Sequence, residues 1–250
     1  MQVQLIDHTG FGHPDPARHA ANVLVFTKNT RLEMKPGLFD EIASWPWGMV
    51  EKELAYMANT IPSSWEFITY TFLVTDVTRA FTHQFVRTRT GSFAQQTMRV
   101  LNVNGWGYET GPTVAENPRA KQRYDATMDA IADNYDQMIL DGAKIEDARG
   151  ILPTNIHTNI VAKFDLRTIA DTARKRASGR TQGEYRSVME AMHSEVLRVH
   201  PWAKLFLGRT FDRAAHELEN AVSQMCEGGQ FDESQKIILV KLIDQLRATA

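Results

Sequence analysis

One long amphipathic stripe restricts the fold more than any other feature of the chain. Between about Asn117 and Leu140, Ala120, Tyr124, Met128, Ile131, Tyr135 and Met138 recur at intervals of four, four, three, four and three. That spacing keeps all six side chains on one face of a helix of about six turns. A helix of this length is held mainly by what covers its apolar face. The stripe must therefore lie against other helices, in this chain or in a sister subunit.

A strand signal stands beside it. Glu66 to Val74, EFITYTFLV, is crowded with β-branched and aromatic residues and follows Pro62 and two serines. Val3 to Ile6 alternates like a short strand and leads into a Gly/Pro/Asp turn through Asp15. Ile156 to Phe164 reads as another strand. Helices are predicted over Ala17 to Lys28, Met49 to Ala58 and Thr78 to Arg89, through most of the chain from Leu166 on, and over Glu233 to Leu246. Without repeats, low-complexity tracts or long linkers, residues 1–250 read as one α+β domain.

Charge and cysteine content narrow the chemistry. A net charge of −2 announces no nucleic-acid partner. The first ten residues predict no signal peptide, and no apolar run of membrane-spanning length occurs. A cytoplasmic protein is expected. The single cysteine, Cys226, excludes an intrachain disulfide and a multi-cysteine zinc site. His8 and His13 flank a turn with the spacing of no metal motif, and His193, His200 and His216 are scattered on predicted helices. No GxGxxG or P-loop is present.

The most informative stretch is Arg79 to Val100, RAFTHQFVRTRTGSFAQQTMRV. It carries four arginines and no acid. If helical through Arg87, it would stack Arg79, His83 and Arg87 on one face at intervals of four. Such cations repel unless paired with acids elsewhere or met by an anion, and a phosphate ligand is a natural partner.

The order Arg87-x-Arg89-x-x-Ser92-x-x-x-x-Thr97-x-Arg99 resembles the signature of flavin-dependent thymidylate synthases. Further blocks follow in that family's order. Ser63-Ser64-Trp65-Glu66-Phe67 resembles its entry to a strand. Arg149-x-x-Leu152-Pro153 resembles a later segment, and Asp165-Leu166-Arg167 through Arg176, Gln182 and Glu184 resemble its closing helix. Thr88, Thr97 and Val100 stand where the signature carries His, Ser and Tyr. Ile61 and Phe67 replace further histidines, and Asp165 and Asp171 replace asparagines.

The resemblance implies a mixed or antiparallel sheet flanked by long helices and a homotetramer. It also implies FAD as cofactor, with NADPH and methylenetetrahydrofolate as co-substrates. By position, Ser63, Arg87, Thr88, Arg89, Gln95, Asp165, Arg167 and Asp171 would hold the flavin. Gln84, Arg87, Gln95, Gln96, Thr97, Arg99, Arg149 and Arg176 would hold the nucleotide. Arg176 would also act in catalysis, favouring the ionised pyrimidine ring as a fixed guanidinium can. Cys226 lies outside every matching block, so a flavin route without an enzyme thiolate is expected. The residue replacements leave three outcomes open: transfer to dUMP, a changed acceptor (UMP or dCMP) or 5-hydroxymethyl product, or a non-catalytic flavin- or nucleotide-binding homologue.

Overall fold

The strand expected from Glu66 begins three residues later. Pro62 opens a 3-10 turn, Pro62–Phe67, which takes up Glu66 and Phe67 before the chain extends. A computed structural model describes residues 1–28, 35–103, 105, 107–176, 183–207, 218, 221–222, 225, 228–229 and 232–249, with the backbone alone at 173–176, 233 and 244–249. Cys226 and Gln182 lie outside the described residues.

Four strands, β1 (Gln2–His8), β2 (Thr69–Thr78), β3 (Ser92–Gln95) and β4 (His157–Asp165), form one antiparallel sheet in the order β1-β2-β4-β3. β3 pairs with β4 in the register Ser92↔Lys163 to Gln95↔Ile160. Alternation explains the strands: Tyr70, Phe72 and Val74 of β2 are buried, as are Thr158, Ile160, Ala162 and Phe164 of β4. The alternation of β2 breaks at Asp76, which has φ 55 and donates its amide to Asn159 Oδ1 at 3.1 Å. After that kink Val77 and Thr78 are both buried. Thr78 then caps the next helix, its hydroxyl accepting from the Phe81 amide at 3.0 Å.

The chain divides into two compact units. The first comprises Met1–Asp7 and Thr71–Phe164 and holds the body of the sheet with α4 (Arg79–Phe85), α5 (Pro112–Ala115), α6 (Pro118–Leu140) and α7 (Ile145–Ala148). α6 realises the long stripe. Asn117 caps it through Oδ1 to the amides of Arg119 and Ala120, and Pro118 occupies its first position. Gly142, at φ 91, closes it. Only Met128 and Tyr135 are buried on α6, and Tyr135 packs with Val103 and Ala148 inside a ring of Met98, Met138, Ile139, Ala143 and Leu152. The amino-terminal half of the stripe instead borders a groove of about 830 Å³, lined by Ala120, Tyr124, Met128 and Ile131 and by Pro153 and Asn155.

The second unit comprises His8–Tyr70 and the chain from Asp165 on. α1 (Pro16–Lys28) buries Ala20, Ala21, Leu24 and Val25 and packs against α2 (Leu38–Ala43) and α3 (Trp47–Thr60). α8 (Leu166–Arg176) lies on the Pro62–Phe67 turn, and α9 (Gly183–Val199) buries Tyr185, Val188, Met189, Met192 and Val196. α10 (Lys204–Leu207) follows, and a last helix runs over Glu233–Thr249. No helix among the described residues is long and apolar enough to cross a membrane.

Candidate functional site

The acid-free stretch does not continue as helix to Arg87. α4 ends at Phe85, with Val86 closing it. Arg79 and His83 thus share a helix, whereas Arg87 falls in the turn beyond and does not share their face, a correction to the stacked arrangement expected above. Three of the five residues Val86 to Thr90 are β-branched (Val86, Thr88 and Thr90), and Gly91 follows, a run that favours leaving the helix. The turn is held by amides of Arg87, Thr88 and Gly91 donating to the carbonyls of Gln84, Phe85 and Thr88.

Below that turn sits an aromatic cluster. Phe85, Phe93 and Phe164 meet pairwise edge to face, with centroids 5.4–5.5 Å apart. A Cβ on Gly91 would lie 2.4 Å from Phe164 Cε1, so glycine lets the turn rest directly on that ring. Arg87 and Arg89 project from this fixed base and are exposed. Neither guanidinium has an ion-pair or hydrogen-bond partner among the described residues. Two unpaired guanidiniums on a fixed turn suit a phosphate-bearing group such as the pyrophosphate of a flavin dinucleotide.

Arg79 is half-buried. Its Nη2 donates to the Gln96 carbonyl at 2.8 Å, while its buried Nε has no partner among the described residues. Burial first, then the charge of Arg149, pulls this guanidinium below its ordinary pKa. Two neighbouring cations therefore face one another without full compensation.

Gln95 and Gln96 are largely engaged by the protein. Gln95 Nε2 donates to Thr82 Oγ1 at 2.9 Å and more weakly to Thr158 Oγ1 at 3.4 Å. Gln96 is fixed on three sides: its amide donates to the Asn159 carbonyl, its Oε1 accepts from Asn159 Nδ2, and its carbonyl takes the Arg79 bond. The segment then turns outward. Thr97 Oγ1 accepts from the Arg99 amide at 3.0 Å, and Arg99 Nε donates to Glu146 Oε2 at 2.8 Å. Arg149 follows α7 and donates Nε to the Glu146 carbonyl at 3.1 Å. The first unit thus links Arg79 with Gln96, and Arg99 with Arg149 through Glu146. Gln84 lies half-buried on α4.

In the second unit, Asp165 caps α8, its Oδ1 accepting from the Thr168 amide at 2.6 Å. Arg167 pairs with Glu66 at 2.6 Å, joining α8 to the turn that carries the exposed Ser63. Asp171 is half-buried on α8. Arg176 ends that helix, and its side chain lies outside the described residues. Sequence reading did not single out Glu146, Asn159 or Thr82. The signal for Glu146 was available in its position three residues before Arg149, within one helical turn.

Comparison with known proteins follows the same segments. A family model described as "Thymidylate synthase complementing protein" matches residues 5–202. A flavin-dependent thymidylate synthase of Nitratidesulfovibrio vulgaris is 32% identical over 154 residues, 57% of this chain and 63% of that protein. One of Sulfurisphaera tokodaii is 32% identical over 141 residues, 56% of this chain and 54% of its own length. One of Geobacter sulfurreducens is 31% identical over 138 residues, covering 54% and 60%. The chain therefore spans less than two thirds of these relatives. Because the family match runs through the arginine turn, the Arg149 segment and α8 alike, the chain belongs to the thymidylate synthase complementing protein family.

Proposed function

We propose that the protein is a flavin-dependent enzyme that transfers a one-carbon unit to C5 of a pyrimidine nucleotide. The simplest reaction is dUMP to dTMP, with methylenetetrahydrofolate as carbon donor and NADPH-reduced FAD as hydride source. The observation that carries this reading is the set of guanidiniums at Arg79, Arg87, Arg89, Arg99 and Arg149, of which Arg99 alone meets a carboxylate among the described residues, standing in the family's order.

Arg87 and Arg89, with Thr88 between them, would hold the pyrophosphate of FAD, with Ser63, Gln95, Asp165, Arg167 and Asp171 completing the cofactor's binding groups. Arg99 and Arg149 would take the nucleotide's phosphate, with Gln84, Gln96 and Thr97 beside them. Arg176 would stabilise negative charge on the pyrimidine, since a guanidinium stays protonated at any working pH. Bound reduced flavin supplies a hydride without an enzyme thiolate. The family likeness also supports a homotetramer, and the single cysteine fits a reducing cytoplasm.

A second reading, transfer to UMP or dCMP or formation of a 5-hydroxymethyl product, is favoured by Thr88, Ile61 and Phe67. None of the three can shuttle a proton as an imidazole does. One experiment separates the readings. The purified protein is checked for bound flavin by visible absorbance, then supplied with methylenetetrahydrofolate, NADPH and each nucleotide in turn, and the products are weighed by mass spectrometry. A gain of one methyl group on dUMP is expected. A colourless protein that alters none of the three nucleotides would overturn the proposal.

A further inference from the structure

Glu146 stands between two of the guanidiniums assigned to the nucleotide. Its carboxylate accepts from Arg99 Nε at 2.8 Å, and its main-chain carbonyl accepts from Arg149 Nε at 3.1 Å. Both side chains of the Arg99–Glu146 pair are open to solvent, at 65% and 45% exposure. The acid is nonetheless carried on a fixed element. It lies in the first turn of α7, whose Ala148 is buried against Tyr135 and Val103. No other carboxylate pairs with Arg99, and none with Arg149, among the described residues.

We infer that Glu146 is a surrogate anion. Without nucleotide its carboxylate occupies the Arg99 guanidinium, and an incoming phosphate must displace it. This rests on the nucleotide reading above, which assigns Arg99 to the phosphate. An exposed ion pair is weak, whereas a phosphate monoester is doubly charged and offers an arginine fork several acceptors, so the exchange favours the nucleotide. The displaced acid still subtracts from the affinity of anything that binds through charge alone. A nucleotide offsets that loss with contacts to its sugar and base; inorganic phosphate has none to offer. Glu146 thereby lowers the affinity of every ligand that binds through its phosphate, so that bare phosphate, with no other contact, leaves the site empty while a nucleotide still fills it. It acts through Arg99, so it is a positioning residue that tunes occupancy and does not itself hold the substrate.

The test uses the flavin-loaded protein in calorimetric titrations with dUMP, with deoxyuridine, and with dUMP in the presence of inorganic phosphate. Glu146→Gln keeps the shape of the side chain and removes its charge. It should tighten dUMP binding by roughly two- to fivefold and lower the inhibition constant of inorganic phosphate by a similar factor. Deoxyuridine, which lacks the phosphate, should bind as in the wild type, and this also reports an intact fold. Glu146→Asp, one methylene shorter, should release Arg99 in part and give a smaller gain. If dUMP and phosphate binding are unchanged or weaker in both variants while Arg99→Ala weakens dUMP, the surrogate role is overturned and the nucleotide reading survives. If Arg99→Ala binds dUMP like the wild type, the assignment of Arg99 to the phosphate fails, and the inference fails with it.

Discussion

Gly91 shows how a residue without chemistry of its own can set a site. Its backbone is ordinary, so the requirement for glycine is spatial: an added Cβ would meet Phe164 Cε1 at 2.4 Å and Phe93 Cζ at 3.0 Å. Phe164 is only 4% exposed and is pinned by Phe85 and Phe93, so it has little room to yield. Gly91→Ala should cost about 1–3 kcal/mol, the usual toll of overpacking, and lower the melting temperature by several degrees. It should also disturb the Arg87–Arg89 turn and reduce flavin retention. An unchanged melt would show that the ring swings aside freely. The role proposed for Arg176 makes the opposite demand, for geometry at one charge. Arg176→Lys keeps the cation and loses the planar fork, so nucleotide affinity and turnover should fall while the melting temperature hardly moves. A large thermal loss with intact nucleotide binding would make Arg176 a helix-end cation instead. At this scale the sequence revealed residue types more readily than their engagements. Arg99 and Arg149 were legible as basic groups in matching blocks, but the pairing of Arg99 with Glu146 joins positions 47 apart, and no local spacing encodes that. Likewise Gln96 looked free for a ligand, and only the fold shows Asn159 and Arg79 holding it.

Among the elements, periodicity predicted what was long and missed what was short. α6 and β4 lie where the patterns placed them, because each has enough repeats to average out exceptions. β3 has four residues inside the arginine stretch and carries little apolar signal; its pairing with β4 decides its conformation. α2, also short, went unread for the same reason. α4 stops early because the tertiary demand of the turn over Phe164 outweighs a modest helical preference.

The burial of His200 ahead of the Pro201–Ala203 turn, within the second unit, has its own consequence for pH. His200 is fully buried, stacked on Trp202, edge to face with His8, and hydrogen-bonded through Nδ1 to the Tyr70 hydroxyl at 2.8 Å. Its Nε2 has no partner among the described residues. Burial first, then the neighbouring His8, pushes its pKa down to about 4 from 6.5. The sign follows directly: the folded state resists the proton that the unfolded chain accepts. Stability should be full above about pH 6.5 and fall as the pH drops towards 4. The loss is on the order of 3 kcal/mol. His193, also held below its ordinary value mainly by burial, acts in the same direction. Urea melts between pH 7.5 and 4.5 should show stability falling steadily as the pH drops below about 6.5, and a His200→Gln protein should lose much of the slope. A slope equal to that of the wild type would assign the acid sensitivity to other groups.

On the scale of the whole molecule, α6 leaves much of its apolar face uncovered. Its stripe is buried at Met128 and Tyr135 alone, and Ala120, Tyr124 and Ile131 border an open groove. The last helix likewise exposes Ile237, Ile238 and Leu242. Surfaces of this kind fit the homotetramer proposed above. Light scattering at micromolar concentration should return about four times the 28.3 kDa of one chain, and a value of one chain's mass would refute the assembly.

The unpaired arginines also separate two quantities that are easily confused, total charge and its distribution. The chain is net negative by two, yet Arg87 and Arg89 stand exposed on a segment of twenty-two residues, Arg79 to Val100, that contains no acid. At physiological ionic strength the Debye length is about 8 Å, so distant carboxylates barely cancel that local field. A protein that isoelectric focusing would classify as mildly acidic should therefore be retained by phosphocellulose. Chloride and buffer phosphate would weaken its apparent ligand affinity, so a dissociation constant for this molecule has meaning only beside the salt in which it was measured.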